Sequence, residues 1–408
     1  ALENVMREKA RLCGYREVRT PAFEHTELFS RAAGESSDVV RKEMYTFKDK
    51  GDRSITLKPE GTAGAVRAFL ESGLYAQALP LKMYYLNAPV FRYEAPQSGR
   101  LREHHQFGLE CFGAAAPTCD AELILFACEL LESVGVRNLT VRINSIGCPN
   151  CRPAYQQAFR EYLNGKLDRL CKDCNERAKI NPMRALDCKV PGCKAELVDA
   201  PVMLDHLCDE CRQHFDQVKA LLSASGIQYV VDARIVRGLD YYTKTVFEIT
   251  TETENGQLTV CAGGRYDGLV GEIGDVQIPA VGFGMGMERV LMLLNDDNSR
   301  LQVESDTPDV FVACLNKSLD TNAFLLLRAF RAAGLRADMD HQGRSLKAQF
   351  KYADKLGARN VAILGDDEIA KGVVKLRNMQ TREEWEAPLA QAPALLRERM
   401  LLGEEDNK

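Results

Sequence analysis

"LKMYYLNAPVFRYEAPQSGRLREHHQFGLECFG", Leu81 to Gly113, decides how this chain is read. The run up to Glu94 has the aromatic and branched content of a β-strand, and "HHQFGLECFG" has the same, so the pattern predicts a hairpin. Arg92 falls on its first strand, Arg100 and Arg102 in its tip, and Glu110 on its second strand. A basic tip of this kind is ordinarily a solvated turn. Whether these arginines face water or a ligand depends on the remainder of the chain.

Upstream, "ALENVMREKARLCGYREVRTP" reads as an amphipathic helix, a stop at Gly14 and a strand ended by Pro21. The pattern starts in mid-helix, so an upstream segment is expected. Downstream, "DAELILFACELLESVG" is a helix and "LTVRINSIG" a strand. Polar helical segments with paired cysteines then interrupt the strands between Cys148 and Cys211. Strand patterns return in "IQYVVDARIVRGLDYYTKTVFEITTE" and close in "IPAVGFGMGMERVLMLL", a Gly-rich strand entering a helix. Beyond the polar stretch around "NDDNSRLQVESDTPD", β and α patterns alternate.

The expected fold class is therefore α+β, an antiparallel sheet with helices. It is expected to occupy residues 1–146 and 224–296, split by a cysteine-rich helical insertion over 147–223. A linker over 297–308 leads to a small α/β domain over 309–408.

The chain has 408 residues, 45% hydrophobic and 27% charged, which suits a globular protein of two or three domains. No apolar run reaches the ~20 residues needed to span a bilayer, and no signal peptide precedes the first helix pattern, so no membrane partner and a cytoplasmic location are expected. A net charge of -5 argues against a protein that coats nucleic acid non-specifically. Any polyanion has to meet local basic patches. In a reducing compartment the 14 cysteines point to metal binding or core packing rather than disulfides.

Four separated segments concentrate Arg, Glu, Tyr and Gly: "LKPEGTAGAVRA", the hairpin, "RGLDYYTKTVFE" with "CAGGRYDGL", and "GFGMGMERVL". Taken singly, each has a plain reading: glycines pack backbones closely, Tyr241 and Tyr242 fill a core, Glu60 beside Pro59 makes a turn. Taken together they suit the activation of a carboxylate by ATP. That reaction needs no general base, only alignment with the α-phosphorus and positive charge for the transition state. Arginine forks grip phosphate and carboxylate oxygens at two points, and Arg92, Arg100, Arg102, Arg237 and Arg289 are the candidates. An α-amino group needs acceptors, which Glu60, Thr62 and Gln106 offer.

The ordered segments "VVRKEMYTF", "LKPEGTA", "FRYE", "GRLREHHQFGLE", "RGLDYYTKTVFE", "AGGRYDGLV" and "GFGMGMER" closely resemble those of the bacterial histidyl-tRNA synthetases, class II aminoacyl-tRNA synthetases. The resemblance runs over essentially the whole chain. It implies a class II antiparallel catalytic sheet, a homodimer, a C-terminal anticodon-binding domain, ATP with Mg2+, histidine and its tRNA. It further implies that Glu60, Gly61 and Thr62, assisted by Gln106, hold the substrate amino group. Glu110 and Tyr242, beside Tyr241, match the residues that read the imidazole. Arg92 resembles the arginine on the α-phosphate, Arg100 and Arg102 lie near the β and γ phosphates, Arg289 sits against ATP, and Arg237 meets the reacting carboxylate and phosphate. Two positions depart from the family pattern: Ala95 and Lys58 stand where arginine is usual.

Two further signals come from spacing. Arg344, Lys347, Lys351 and Lys355 are expected on one face of a helix in "GRSLKAQFKYADKLGAR", as a solvated face or a tRNA contact. Cys148 with Cys151, Cys171 with Cys174, Cys188 with Cys193 and Cys208 with Cys211 have the knuckle spacing of structural Zn2+, enough for two four-thiolate sites. Cys13, Cys111, Cys119, Cys128, Cys261 and Cys314 have no such pairing. Two other functions fit part of this pattern: a non-catalytic histidine-binding regulator of ATP phosphoribosyltransferase, and an inactive synthetase-like zinc protein that binds RNA.

Overall fold

The computed structural model describes every residue except 35, 36, 38, 94, 95, 97, 98, 237, 255, 296, 297, 303–305 and 406–408. The chain forms two compact units, Ala1–Gln302 and Val303–Lys408. The split falls inside the stretch read as a linker.

The first unit is built on an eight-stranded sheet. Its strands are β1 (Arg16–Glu17), β2 (Leu81–Phe91), β3 (Glu103–Phe112), β4 (Thr140–Ser145), β5 (Tyr229–Val231), β6 (Thr243–Thr253), β7 (Gly256–Arg265) and β8 (Ala280–Gly286). They lie in the order β1-β2-β3-β8-β7-β6-β4-β5, antiparallel except at the two edges, where β1 pairs with β2 and β4 with β5 in parallel. The hairpin that opened the reading is β2–β3, with Leu81 opposite Phe112 and Phe91 opposite Glu103. Its first strand ends at Phe91, so Arg92 lies one residue beyond it rather than on it. The register slips between Tyr85 and Ala88, and Asn87 there adopts φ +53°. Such a bulge re-aims neighbouring side chains.

Alternation along β3 separates two faces. Phe107, Leu109 and Cys111 point into one core, shared with Leu123, Phe126 and Leu130 of the helix Pro117–Val134. The N-terminal helix Leu2–Leu12 adds Leu2, Met6 and Ala10, spaced four apart so that they share its buried stripe. Gly14, at φ +79°, ends that helix in the left-handed conformation expected of a glycine stop. Gln106, Gly108 and Glu110 occupy the opposite face.

On that opposite face Glu110 pairs with Gly282, Gly108 with Gly284 and Gln106 with Gly286. Gly282 in turn pairs with Gly264, and Gly284 with Ala262. The Gly-rich segments of β7 and β8 thus form a floor of minimal side chains, and their intervening residues Val281, Phe283 and Met285 fill the core below. Close packing and ligand space, weighed as alternatives in the sequence, are two faces of the same strands.

The insertion leaves β4 at Cys148 and returns through the helix Asp209–Ala224, whose Phe215, Val218 and Leu222 join the main core. Between them lie short helices packed around Tyr155, Phe159 and Leu163. The second unit has a five-stranded sheet: three parallel strands, Val310–Cys314, Ala337–Met339 and Asn360–Leu364, extended by an antiparallel pair, Val373–Asn378 and Glu384–Pro388.

Candidate active site and cysteine centres

Glu110 stands on the glycine floor, fully buried. A Cβ at Gly282 would come within 1.8 Å of its Oε2, so only glycine leaves room for this carboxyl. Thr62 donates to Glu110 at 2.7 Å and Tyr85 at 3.3 Å, and the Tyr266 hydroxyl makes a further close hydrogen bond. Burial pushes the Glu110 carboxyl up to about 8, against the pull of the Tyr266 and Thr62 hydroxyls. The Tyr85 ring lies between Gly61 and Gly108, where added Cβ atoms would approach it to 2.4 and 2.2 Å. Gly61 is thereby needed for backbone approach.

The phenols bonded to Glu110 are Tyr85 and Tyr266, neither of which stood among the candidates. Tyr241 packs edge-on against Tyr266 at 5.6 Å and beside Tyr242 at 4.6 Å. Both tyrosines are buried in the same cluster. Tyr266 lay inside "AGGRYDGL", but a lone tyrosine carries no sign of its partner; the strand register supplies it.

Glu60 accepts the N–H groups of Thr62 at 2.6 Å and Ala63 at 2.8 Å, capping the helix Thr62–Glu71. Burial raises its pKa and these backbone donors offset part of the rise. A carboxylate offers about four lone-pair sites, so capacity for a ligand ammonium remains.

Arg92 donates to the Pro59 carbonyl at 3.0 Å and to Glu43 at 3.2 Å, joining the hairpin to the "PEGT" turn. It lines an open cleft together with Arg100, Gln106 and Arg289, above Gly284 and Gly286. Arg289 is held by the carbonyls of Gly99 and Thr259, each at 2.8 Å. Glu288 accepts the His105 backbone N–H and bonds to its ring at 2.7 Å, which locks the helix after β8 onto β3. Arg102 is exposed and covers the Tyr93 ring at 5.4 Å. Arg237 and Ala95 lie outside the described residues. Lys58 is buried, with its ammonium 3.3 Å from the Thr20 hydroxyl.

Arg265 of "GGRYDGL" is fully buried and was not singled out. It forms a close pair with Asp120 and also bonds Asp267 at 3.1 Å and the Ala114 carbonyl at 2.7 Å. His214 of the returning helix meets Asp120 at 3.2 Å. This is a structural network tying β7, the helix Pro117–Val134 and the end of the insertion together.

The eight paired cysteines assemble into two groups, Cys148, Cys151, Cys208 and Cys211, and Cys171, Cys174, Cys188 and Cys193, with the sulfurs of each within 4.8 Å of one another. A tetrahedral zinc with Zn–S of about 2.3 Å requires sulfurs about 3.8 Å apart. Cys148 lies 3.5 Å from Cys151 and 4.0 Å from Cys208, and Cys171 lies 3.8 Å from Cys188. Both groups fit the ion. The unpaired cysteines Cys111, Cys119, Cys128, Cys261 and Cys314 are buried, and Cys13 is half-buried.

In the second unit Lys347, Lys351 and Lys355 are exposed on the helix Leu346–Lys355. Arg344 is not on the helix itself, which begins at Leu346. It precedes the helix, because Asp340 captures its backbone N–H at 2.6 Å and its guanidinium at 2.5 Å, and it covers the Tyr352 ring at 4.3 Å.

A family model described as histidyl-tRNA synthetase matches residues 1–290, and one described as anticodon binding domain matches residues 309–399. The histidine-tRNA ligase of Caldanaerobacter subterraneus subsp. tengcongensis is 53% identical over 385 residues, covering 94% of this chain and 92% of that protein. That of Clostridioides difficile is 50% identical over 384 residues, covering 94% and 91%. The crystal structure of apo Staphylococcus aureus histidyl-tRNA synthetase superposes with a TM-score of 0.81 at 36% identity, over 97% of this chain and 94% of that one.

Proposed function

The chain belongs to the histidyl-tRNA synthetase family, and from that premise we propose how its own residues perform the reaction. It is an enzyme that joins histidine to tRNA: histidine and ATP give histidyl-adenylate and pyrophosphate, and the tRNA terminal ribose then takes the histidyl group. Relatives of this identity over nearly the full length set aside the non-catalytic and RNA-binding alternatives.

Histidine enters over the glycine floor. Glu60, Thr62 and Gln106 receive its ammonium group, and Glu110 binds its imidazole within the cluster that holds Tyr241 and Tyr242. The buried, multiply hydrogen-bonded Glu110 carries this reading: a polar group set in an apolar pocket rejects side chains that cannot pair with it. Arg92 and Arg289 grip ATP along the cleft, with Arg100 and Arg102 toward its outer phosphates. Mg2+ bound to ATP neutralises phosphate charge. Arg237, shortly before Tyr241 in the chain, stabilises charge as the carboxylate attacks the α-phosphorus. Residues 1–146 and 224–296 form this catalytic domain, with 147–223 the insertion, 297–308 a linker and 309–408 the anticodon-binding domain. Lys347, Lys351 and Lys355 contact tRNA phosphates there, with Arg344 bracing the start of their helix.

Each cysteine group holds one structural Zn2+, since four protein ligands leave no open position. The enzyme acts as a homodimer in the cytoplasm, where thiols stay reduced; among the described residues no helix is long and apolar enough to cross a membrane. Histidine-dependent exchange of pyrophosphate into ATP tests the activity, and its absence overturns the reading. Metal analysis of protein purified without added zinc should find close to two equivalents; metal-free protein with reactive thiols sinks the zinc assignment.

A further inference from the structure

The segment Gly238–Asp240 leads directly into Tyr241 and Tyr242, so its placement bears on the wall of the histidine pocket. The insertion supplies side-chain partners to it, while the Asp240 backbone N–H donates to the Ala33 carbonyl at 3.2 Å. Arg184 is buried, and its guanidinium donates to the Gly238 carbonyl at 2.8 Å and to Asp240 Oδ1 at 2.9 Å. Asn181 donates to the same carboxylate oxygen at 3.1 Å. Arg184 sits on the short 3-10 segment Pro182–Asp187, with Cys174 before it and Cys188 directly after. Both cysteines belong to the second thiolate group. Arg177, from the helix Lys172–Ile180 that follows Cys171, donates to the Arg184 carbonyl at 3.2 Å. The chain just beyond the segment is held from beside the first group: Arg152, next to Cys151, makes a close hydrogen bond to the Tyr242 carbonyl and donates to the Ile146 carbonyl at 3.3 Å.

We propose that Arg184 is a positioning residue for histidine activation, fixed by the second cysteine centre and holding Gly238–Asp240 in the conformation that binds histidine. The inference rests on the synthetase reading above. A buried guanidinium is retained where its bonds organise a partner, and here they converge on one carbonyl and one carboxylate of a single turn. Cys171 and Cys174 before Arg184 and Cys188 and Cys193 after it would hold a metal that fixes the chain on both sides, so the insertion would reach the chemistry through this side chain. Arg184 also borders the cleft lined by Arg92, Gln106 and Arg289, yet its bonds are spent on the protein. Loosening it reduces the fraction of enzyme whose histidine pocket is assembled, and apparent affinity falls by that fraction.

The test compares the parent with Arg184→Ala, Arg184→Met, Arg184→Lys, Asp240→Asn and the Arg184→Ala/Asp240→Asn pair. Each is measured for metal content, thermal unfolding and the KM of histidine and of ATP in pyrophosphate exchange. A competent fraction near one tenth raises the histidine KM about tenfold in Arg184→Ala and Arg184→Met, with the ATP KM and the metal content unchanged. Arg184→Lys recovers part of the loss, and the double variant is no worse than the more affected single one. Cys188→Ser, which weakens the second centre, raises the histidine KM in the parent but adds little to Arg184→Ala. A parental histidine KM in Asp240→Asn and Arg184→Met, or an equal rise for both substrates with loss of metal, overturns the proposal. Parent protein with no histidine-dependent exchange at all would take down the synthetase reading itself.

Discussion

Glu110 gives histidine affinity a pH dependence whose form follows from one shared proton. Burial pushes this carboxyl from 4.5 up to about 8, whereas a free imidazole titrates near ~6.5. Between those values the empty pocket brings the proton and the incoming ring is neutral, so the complex forms with no net exchange with water. Above pH 8 or so the pocket must first take up a proton, and affinity falls about tenfold per pH unit, ~1.4 kcal/mol each. Below ~6.5 the ring must lose one, with the opposite slope. The substrate amino group adds its own alkaline loss, so the readout is the difference between parent and Glu110→Gln, in which the carboxyl's contribution disappears. Calorimetric titration with histidine from mildly acid to alkaline pH, in buffers of different ionisation heat, should show one more proton taken up by the parent than by the variant at the alkaline end. Identical slopes and proton counts would refute the assignment of that proton to Glu110. The sign for stability follows from the same shift. The folded state binds more protons than the unfolded one between pH 4.5 and about 8, so the empty protein loses stability as pH rises through that window.

Arg237→Ala should lower the rate of adenylate formation on the order of 10²-fold with unfolding unchanged, the scale for removing one donor aimed at developing charge; near-parental exchange removes Arg237 from the mechanism. Asp120→Asn removes the closer of the two carboxylates paired with the buried Arg265, leaving Asp267 alone, and should cost about 3–5 kcal/mol in denaturant unfolding. Gly282→Ala forces a methyl into the space of Glu110 Oε2 and should cost about 1–3 kcal/mol while weakening histidine far more than ATP. Ending the chain at Gln302 should preserve histidine activation and sharply reduce tRNA charging; equal charging by the shortened chain would contradict the anticodon-binding role.

The hairpin, the insertion and the second unit were legible because each has a local signature: alternation, cysteine spacing, a βα rhythm. The site was legible only where a motif named its residues. Tyr85 and Tyr266 reach Glu110 through strand register and through the bulge after Tyr85, neither of which leaves a mark in composition. The purpose of the glycines was likewise hidden, because pairing Gly282 with both Glu110 and Gly264 takes three strands, two of them distant in sequence, brought together. Arg344 was misplaced by counting helical spacing from a residue that a local capture by Asp340 keeps outside the helix. The antiparallel strands Val373–Asn378 and Glu384–Pro388 were also missed, since their charged outward faces obscure the buried Val374, Leu376 and Ala387. Arg184 had no signature at all. Its role depends on a turn of the insertion meeting a loop distant in sequence.

The first cysteine group also bears on the order in which the chain assembles. It draws Cys148 and Cys151, where the insertion departs, to Cys208 and Cys211, where it returns. β4 has to wait for β6, its antiparallel neighbour, and roughly a hundred residues separate them, about 5–20 s of ribosomal synthesis. Shortening that span by half changes the closure entropy by only about 0.6 kcal/mol, so pinching the neck adds little to equilibrium stability. Its effect is on timing. All four thiols precede β6 in the chain and leave the ribosome ahead of it, so the insertion can close on itself first and present the waiting strand with a partner arriving from a fixed point.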